Sequence, residues 1–380
     1  MLESLNQEKK VEYIELIYDL IFVYLIGRSA SLLDRVEAGF ISFSTFADYL
    51  ASSLIFIQIW YYSTLYINRY GKNGISENIM LLTNMFLLYI MGANTNHGWD
   101  MNYPAFAGAW ALILINMAVH YWLRLKEAQD DCFRFSIKQN IFFLLGQAFL
   151  VAISILIRES TGYTLAPWIM LLGFISSAFL KKIPVNFGHL TERVMLYVVF
   201  TFGEMIIIIA GYFTQGFNFQ TMYFALLSFL IAAGLFFSYG FVYDHLLDRD
   251  GSKIANGYML LHVFLIISLS CITTALEFMR ESEIHSLPKT IMMIVSLLTF
   301  FASLAMTEHW SKRTFLRKCK FILILICEFA LFTIGMLLSM ENGYVSIALT
   351  VIFIYAQLAT LFLFEKHTDE RKQEPEVTMP

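Results

Sequence analysis

The sequence predicts an all-α polytopic membrane protein, a helical bundle with about 12 transmembrane helices. Three observations carry that expectation. Of 380 residues, 58% are hydrophobic and only 15% are charged, where a soluble protein carries about a quarter charged residues. Twelve apolar stretches are each long enough to cross a bilayer, for which about 20 residues suffice. Lysine and arginine are also split unevenly between the two sides that twelve spans would create: 21 of the 26 fall with the N-terminus, the tail and the loops after even-numbered spans. That bias puts both termini in the cytoplasm, and a missed or invented span would blur it.

The stretches lie at about 13–33, 46–67, 77–96, 104–123, 137–157, 164–181, 191–212, 220–243, 256–276, 289–308, 321–340 and 344–364. Helix is the expected conformation of each, because a segment in lipid must satisfy its own backbone hydrogen bonds. The first retains Glu15 and Asp19 and lacks a small-residue cleavage site, so it reads as a retained span and not a signal peptide. Breaker signals separate the others: Tyr70 to Gly74 before span 3, Asn102-Tyr103-Pro104 before span 4, and Ile183-Pro184 before span 7. Asp250-Gly251-Ser252, Leu287-Pro288 and Glu341-Asn342-Gly343 do the same before spans 9, 10 and 12. Trp60, Trp122 and Trp310 fall at expected cytoplasmic helix ends, where indoles favour the interface. The segment 365–380 has the composition of a disordered cytoplasmic tail.

A net charge of −4 supplies no basic field for nucleic acid. Cys132, Cys271, Cys319 and Cys327 form no CxxC pair and imply no disulfide framework. No phosphate-cradling glycine loop, HExxH or GxSxG motif appears, so ATP-driven pumping and hydrolysis lack their usual supports; no catalytic residue and no cofactor is assigned. The acidic run Tyr243 to Asp250 reads as a solvated helix end rather than a metal site, and Asn94 to His97 reads as a loop.

The two halves echo each other. Glu15 to Asp19 through Gly27-Arg28 in span 1 parallels Glu192-Arg193 through Gly203-Glu204 in span 7. Met80 to Asn84 at the start of span 3 parallels Met259 to His262 at the start of span 9. A duplicated six-helix half is therefore expected, 1–183 and 184–364, in the parallel arrangement known among transporters. The same residues carry a resemblance. Ile14 to Ile26 (IELIYDLIFVYLI), Asn68-Arg69-Tyr70, His189 to Arg193, Phe202-Gly203-Glu204 and Leu260-Leu261-His262 are similar, in order, to motifs of the bacterial low temperature requirement protein A (LtrA) family. Arg28 departs from the pattern, standing where an uncharged amide is expected. The resemblance implies a bacterial inner-membrane protein tied to growth in the cold, and it brings no established substrate or reaction.

Ionisable residues inside the spans are the candidates for function, since a carboxylate at membrane depth costs on the order of 2.5–3.5 kcal/mol or more. Glu15 and Asp19 share one face of span 1, with Asp19 roughly 9 Å inside it. They read either as proton or cation coupling groups or as a structural ion pair fixing the first helix. His189, Arg193 and Glu204 lie close to one face of span 7, Glu192 opens that span, and Glu204 sits roughly 18 Å deep, near the midplane. Asn84, His262 and Glu328, with Gln58, Asn116 and Gln357 and together with Asp19, form a polar layer in the cytoplasmic half. It reads as a water-accessible cavity or as ordinary interhelical hydrogen bonding. The favoured function is a proton-coupled secondary transporter of a small solute, with membrane lipids as its other partners. The alternatives are a non-catalytic structural or regulatory membrane protein responding to cold, and an intramembrane lipid-modifying enzyme using His262, Glu204 and Asp19.

Overall fold

The computed structural model describes residues 9–95, 99–128, 130–157, 162–179, 183–250, 252–253, 256–312 and 319–373. Among them one helix answers each apolar stretch. These are α1 (Tyr13–Ala30), α2 (Phe43–Tyr70), α3 (Ile75–Ala93), α4 (Trp99–Leu125), α5 (Asp131–Leu156) and α6 (Gly162–Phe179). They continue as α7 (Phe187–Gly211), α8 (Phe219–Phe241), α9 (Asn256–Arg280), α10 (Ser286–Met306), α11 (Cys319–Leu338) and α12 (Gly343–Gln373). Ten are long and apolar enough to cross a membrane by length and composition. The remaining two are α1, which carries Glu15, Asp19 and Arg28 within its 18 residues, and α6, whose described apolar part is Leu165–Ile175. The chain is thus a multi-pass helical membrane protein.

Local chemistry explains the helix ends. Ser42, Asp130 and Asn218 each accept a hydrogen bond from a backbone N–H in the first turn of α2, α5 and α8, satisfying donors that a helix start leaves orphaned. At the other end of the chain α12 runs on to Gln373. The segment Glu365 to Gln373 is rich in Glu, Lys, Arg and Gln, which lose little side-chain freedom in a helix. Residues 374–380 lie outside the described residues.

The chain packs as two compact units. The first comprises Met1–Glu37, Ile41–Thr201 and Arg249–Val263; the second comprises Ala38–Phe40, Phe202–Asp248 and Phe264–Pro380. In the first unit α2 is the most enclosed helix, buried almost continuously from Ile55 to Tyr70. Its polar residues therefore have to find partners within the protein, and most do. Gln58 donates to the Met170 carbonyl at 2.7 Å and accepts from Gln147 at 2.6 Å, tying α2 to α6 and α5. Two short strands, Val185–Asn186 and Ser252–Lys253, pair antiparallel beside the start of α7. No period-2 pattern in the sequence announces them. In the second unit α8 and α12 cross at Gly234, where a Cβ would stand 2.6 Å from Ile354 Cγ2. Only glycine permits that approach.

Candidate functional site

Two helices of the first unit each present an i, i+4 pair, and the pairs face one another. Glu15 and Asp19 sit one turn apart on α1; His189 and Arg193 sit one turn apart on α7. A four-residue step advances a helix about 6 Å and nearly closes a turn, so both pairs line up in register. Glu15 meets His189, and Asp19 meets Arg193.

The Asp19–Arg193 end is tightly built. Arg193 Nε donates to Asp19 Oδ2 at 3.1 Å, and Arg193 Nη2 donates to Asp19 Oδ1. The indole N–H of Trp60 donates to the same Oδ1 at 2.9 Å. Asp19 and Arg193 are both 0% exposed. Tyr197 stacks on Trp60 with ring centroids 4.8 Å apart, and Phe22 packs edge-on against Tyr197. This is a dry, bidentate, charge-assisted pair of the geometry that fixes two helices in one register. Trp60 is consequently no interfacial anchor: it is 3% exposed, ten residues before the end of α2. The indole belongs to Asp19, whose second oxygen-bound donor it supplies. Trp122 is the exposed one, half open near the end of α4 with the Lys126 ammonium over its ring.

The Glu15–His189 end is looser. Glu15 is 1% exposed, with His189 Nε2 at 3.2 Å and Arg193 Nη1 at 3.3 Å from its Oε2. Both approach off-axis, and neither Glu15 oxygen receives a well-directed hydrogen bond.

The tautomer of His189 follows from its neighbours. The Asn186 backbone N–H donates to Asn68 Oδ1 at 2.9 Å, and Asn68 Nδ2 donates to the Asn186 carbonyl at 2.9 Å. These two bonds fix which way the Asn68 amide points. Its NH2 group then faces His189 Nδ1 at 3.1 Å, so Nδ1 accepts and the ring proton sits on Nε2, toward Glu15. A doubly protonated His189 would set N–H against N–H; relieving that by turning Asn68 would break both bonds to Asn186. The Asn186 side chain also accepts from His189 N at 3.0 Å, capping α7. The sequence motif Asn68-Arg69-Tyr70 thus holds a residue of the site, although the spacing alone gave no reason to join it to His189.

With His189 neutral, two carboxylates oppose one guanidinium. Lys9, just ahead of α1, supplies a second cation: its ammonium donates to the Ile67 carbonyl at 2.7 Å. Burial pushes the Lys9 ammonium below its ordinary range, while Glu15 and Glu77 pull it back up. The cluster is therefore close to neutral as built. Of the two carboxylates in the cluster, Glu15 is the one with the fewer directed donors.

The other sequence candidates lie elsewhere. Glu192 is half-buried on α7, with no hydrogen bond or ion pair to a described residue. Asn84 accepts from Asn116 Nδ2 at 2.8 Å, and that amide also reaches the Met80 carbonyl at 3.2 Å. This is an interhelical bond between α3 and α4. His262 donates from Nδ1 to the Tyr258 carbonyl at 2.8 Å and packs on the Tyr258 ring. In the second unit, Glu204 is half-buried on α7 and no described residue bonds to it. Glu328 accepts from Gln357 Nε2 at 2.8 Å and from Thr360 Oγ1 at 2.7 Å.

No curated protein matches the chain. The family model described as bacterial low temperature requirement A protein (LtrA) matches residues 10–358. That match spans nearly the whole sequence and takes in Glu15, Asp19, Asn68, His189 and Arg193. With both helices of the charged ladder inside it, the chain belongs to the LtrA family.

Proposed function

We propose that the protein is a proton-coupled secondary transporter of a small solute and not an enzyme. In this reading it sits in the bacterial inner membrane with twelve spans, both termini in the cytoplasm, and two six-helix halves related by a parallel repeat. The observation that carries the reading is Glu15, a carboxylate buried at 1% exposure whose close polar neighbours among the described residues, His189 and Arg193, approach off-axis. A group so placed gains or loses a proton with a large change in its attraction to Arg193 and His189. Asp19, held by three directed donors, is the fixed brace against which that change acts. Because Asn68 keeps His189 a neutral donor, the mobile proton of the pair belongs to Glu15. Glu204, half-buried and without a described partner, is the candidate acidic group of the second unit.

Purified protein in liposomes loaded with a pH-sensitive dye tests this reading. A panel of small solutes should include one that drives proton movement, and Glu15→Gln should abolish that coupling while leaving the protein folded.

A second reading is favoured by the dry Asp19–Arg193–Trp60 contact. Buried ion pairs of this kind specify helix register and need do nothing else. A structural or regulatory bundle would give no solute-dependent proton movement. Its cold-growth phenotype would survive Glu15→Gln and Glu204→Gln.

A further inference from the structure

The second unit contains a cavity of about 440 Å³ between α10, α11 and α12. That volume falls in the range of small-molecule sites. Its wall is almost wholly apolar: Leu298, Phe301, Phe321, Phe329 and Phe353 are typical of it. One lining residue is polar, Gln357 of α12, which is 4% exposed. Its Nε2 donates to Glu328 at 2.8 Å, which commits the amide orientation and leaves Oε1 as an acceptor with no partner among the described residues. Glu328 stands behind it on α11, between the lining residues Leu325 and Phe329. Its two hydrogen-bond donors, Gln357 and Thr360, are both neutral, and no described cation pairs with it.

An apolar pocket whose one polar lining residue offers an acceptor, and is itself hydrogen-bonded to a carboxylate, selects its occupant by charge. We infer that this cavity binds an amphiphilic amine, with an apolar body against the phenylalanines and a protonated nitrogen directed at Gln357 Oε1 and Glu328. An anion is repelled there, and a neutral apolar molecule leaves the acceptor unpaired. The inference does not depend on proton coupling at Glu15.

The test is isothermal titration calorimetry on the full chain in lipid nanodiscs at pH 7, with 4-phenylbutylamine and 4-phenylbutanol as probes. The amine is cationic at this pH, as lysine is, and the alcohol has a similar apolar body. The amine should bind saturably and at least tenfold more tightly than the alcohol. Glu328→Gln should bring the two affinities together, and Ala330→Phe, which fills the cavity, should abolish both. Gln357→Leu is the second variant if Glu328→Gln does not fold, and it should likewise erase the preference. Equal affinities in the wild type would overturn the inference, making the cavity a groove for lipid chains. So would absence of amine binding, or a preference for amine that persists in Glu328→Gln or Gln357→Leu.

Discussion

Removing Arg193 should be among the most damaging single changes in the first unit, and a second mutation should partly repair it. Arg193→Met deletes two bonds to Asp19 and the 3.3 Å contact to Glu15. Asp19 is left with only the Trp60 indole, and Glu15 with only the off-axis His189. Stranding a buried charge costs about 3–5 kcal/mol. Asp19→Asn alone is milder: the amide oxygen still accepts from Trp60, and Arg193 keeps Glu15. Its cost is that of weakened charge-assisted bonds, about 1–3 kcal/mol. In the Arg193→Met background the sign reverses. There the Asp19→Asn change removes one of the two stranded negative charges, so the double variant should be more stable than Arg193→Met alone. Equilibrium unfolding in mixed micelles, followed by helical circular dichroism, measures all three. If Asp19→Asn costs as much in the Arg193→Met background as in the wild type, to within about 0.5 kcal/mol, the two residues are not coupled. The ion-pair ladder would then be refuted.

Gly173→Ala should destabilise the first unit by about 1–3 kcal/mol through overpacking, because a Cβ there would lie 2.6 Å from Gln58 Nε2 and 2.7 Å from Gln147 Nε2. The same unfolding assay reads it, and a neutral result would contradict the close approach of α6 to α2 and α5. Beyond the end of α4, Lys72 at 2.9 Å and Arg124 at 2.8 Å hold the Glu127 carboxyl below its ordinary range. A depressed carboxylate stabilises its contacts above its unfolded pKa, near 4.3, and loses that contribution as pH falls through the lower folded value. Hydrogen exchange in the turn around Lys72, corrected for intrinsic rate, should therefore speed up over that acidic window. Glu127→Gln should show the faster exchange already at pH 7; identical protection in the two proteins there would remove the ion pairs from the account.

Much of the fold is legible in the sequence because the bilayer leaves few options. An apolar run of 20 residues has to be a helix, and each of the twelve runs is one. Where neighbouring residues compete, the pattern misleads. Trp60 reads as an interfacial anchor because tryptophan favours that zone, yet the demand of Asp19 for a donor takes it into the core. The site is half legible. Glu15 and Asp19 on one face, and His189 and Arg193 on another, follow from helical periodicity. Their meeting does not, since periodicity places a residue on its own helix and carries no information about a partner 174 residues away. Asn68 is a motif residue whose purpose appears only when Asn186 fixes its amide. Glu204 shows the converse: its depth in span 7 marks it from the sequence, and the structure adds no described partner.

The most direct measurement is solute-driven proton movement in liposomes, comparing the wild type with Glu15→Gln at neutral pH. The account predicts dye acidification or alkalinisation with at least one solute in the wild type, and none in a correctly folded Glu15→Gln protein. Coupling of unchanged magnitude in Glu15→Gln would contradict it.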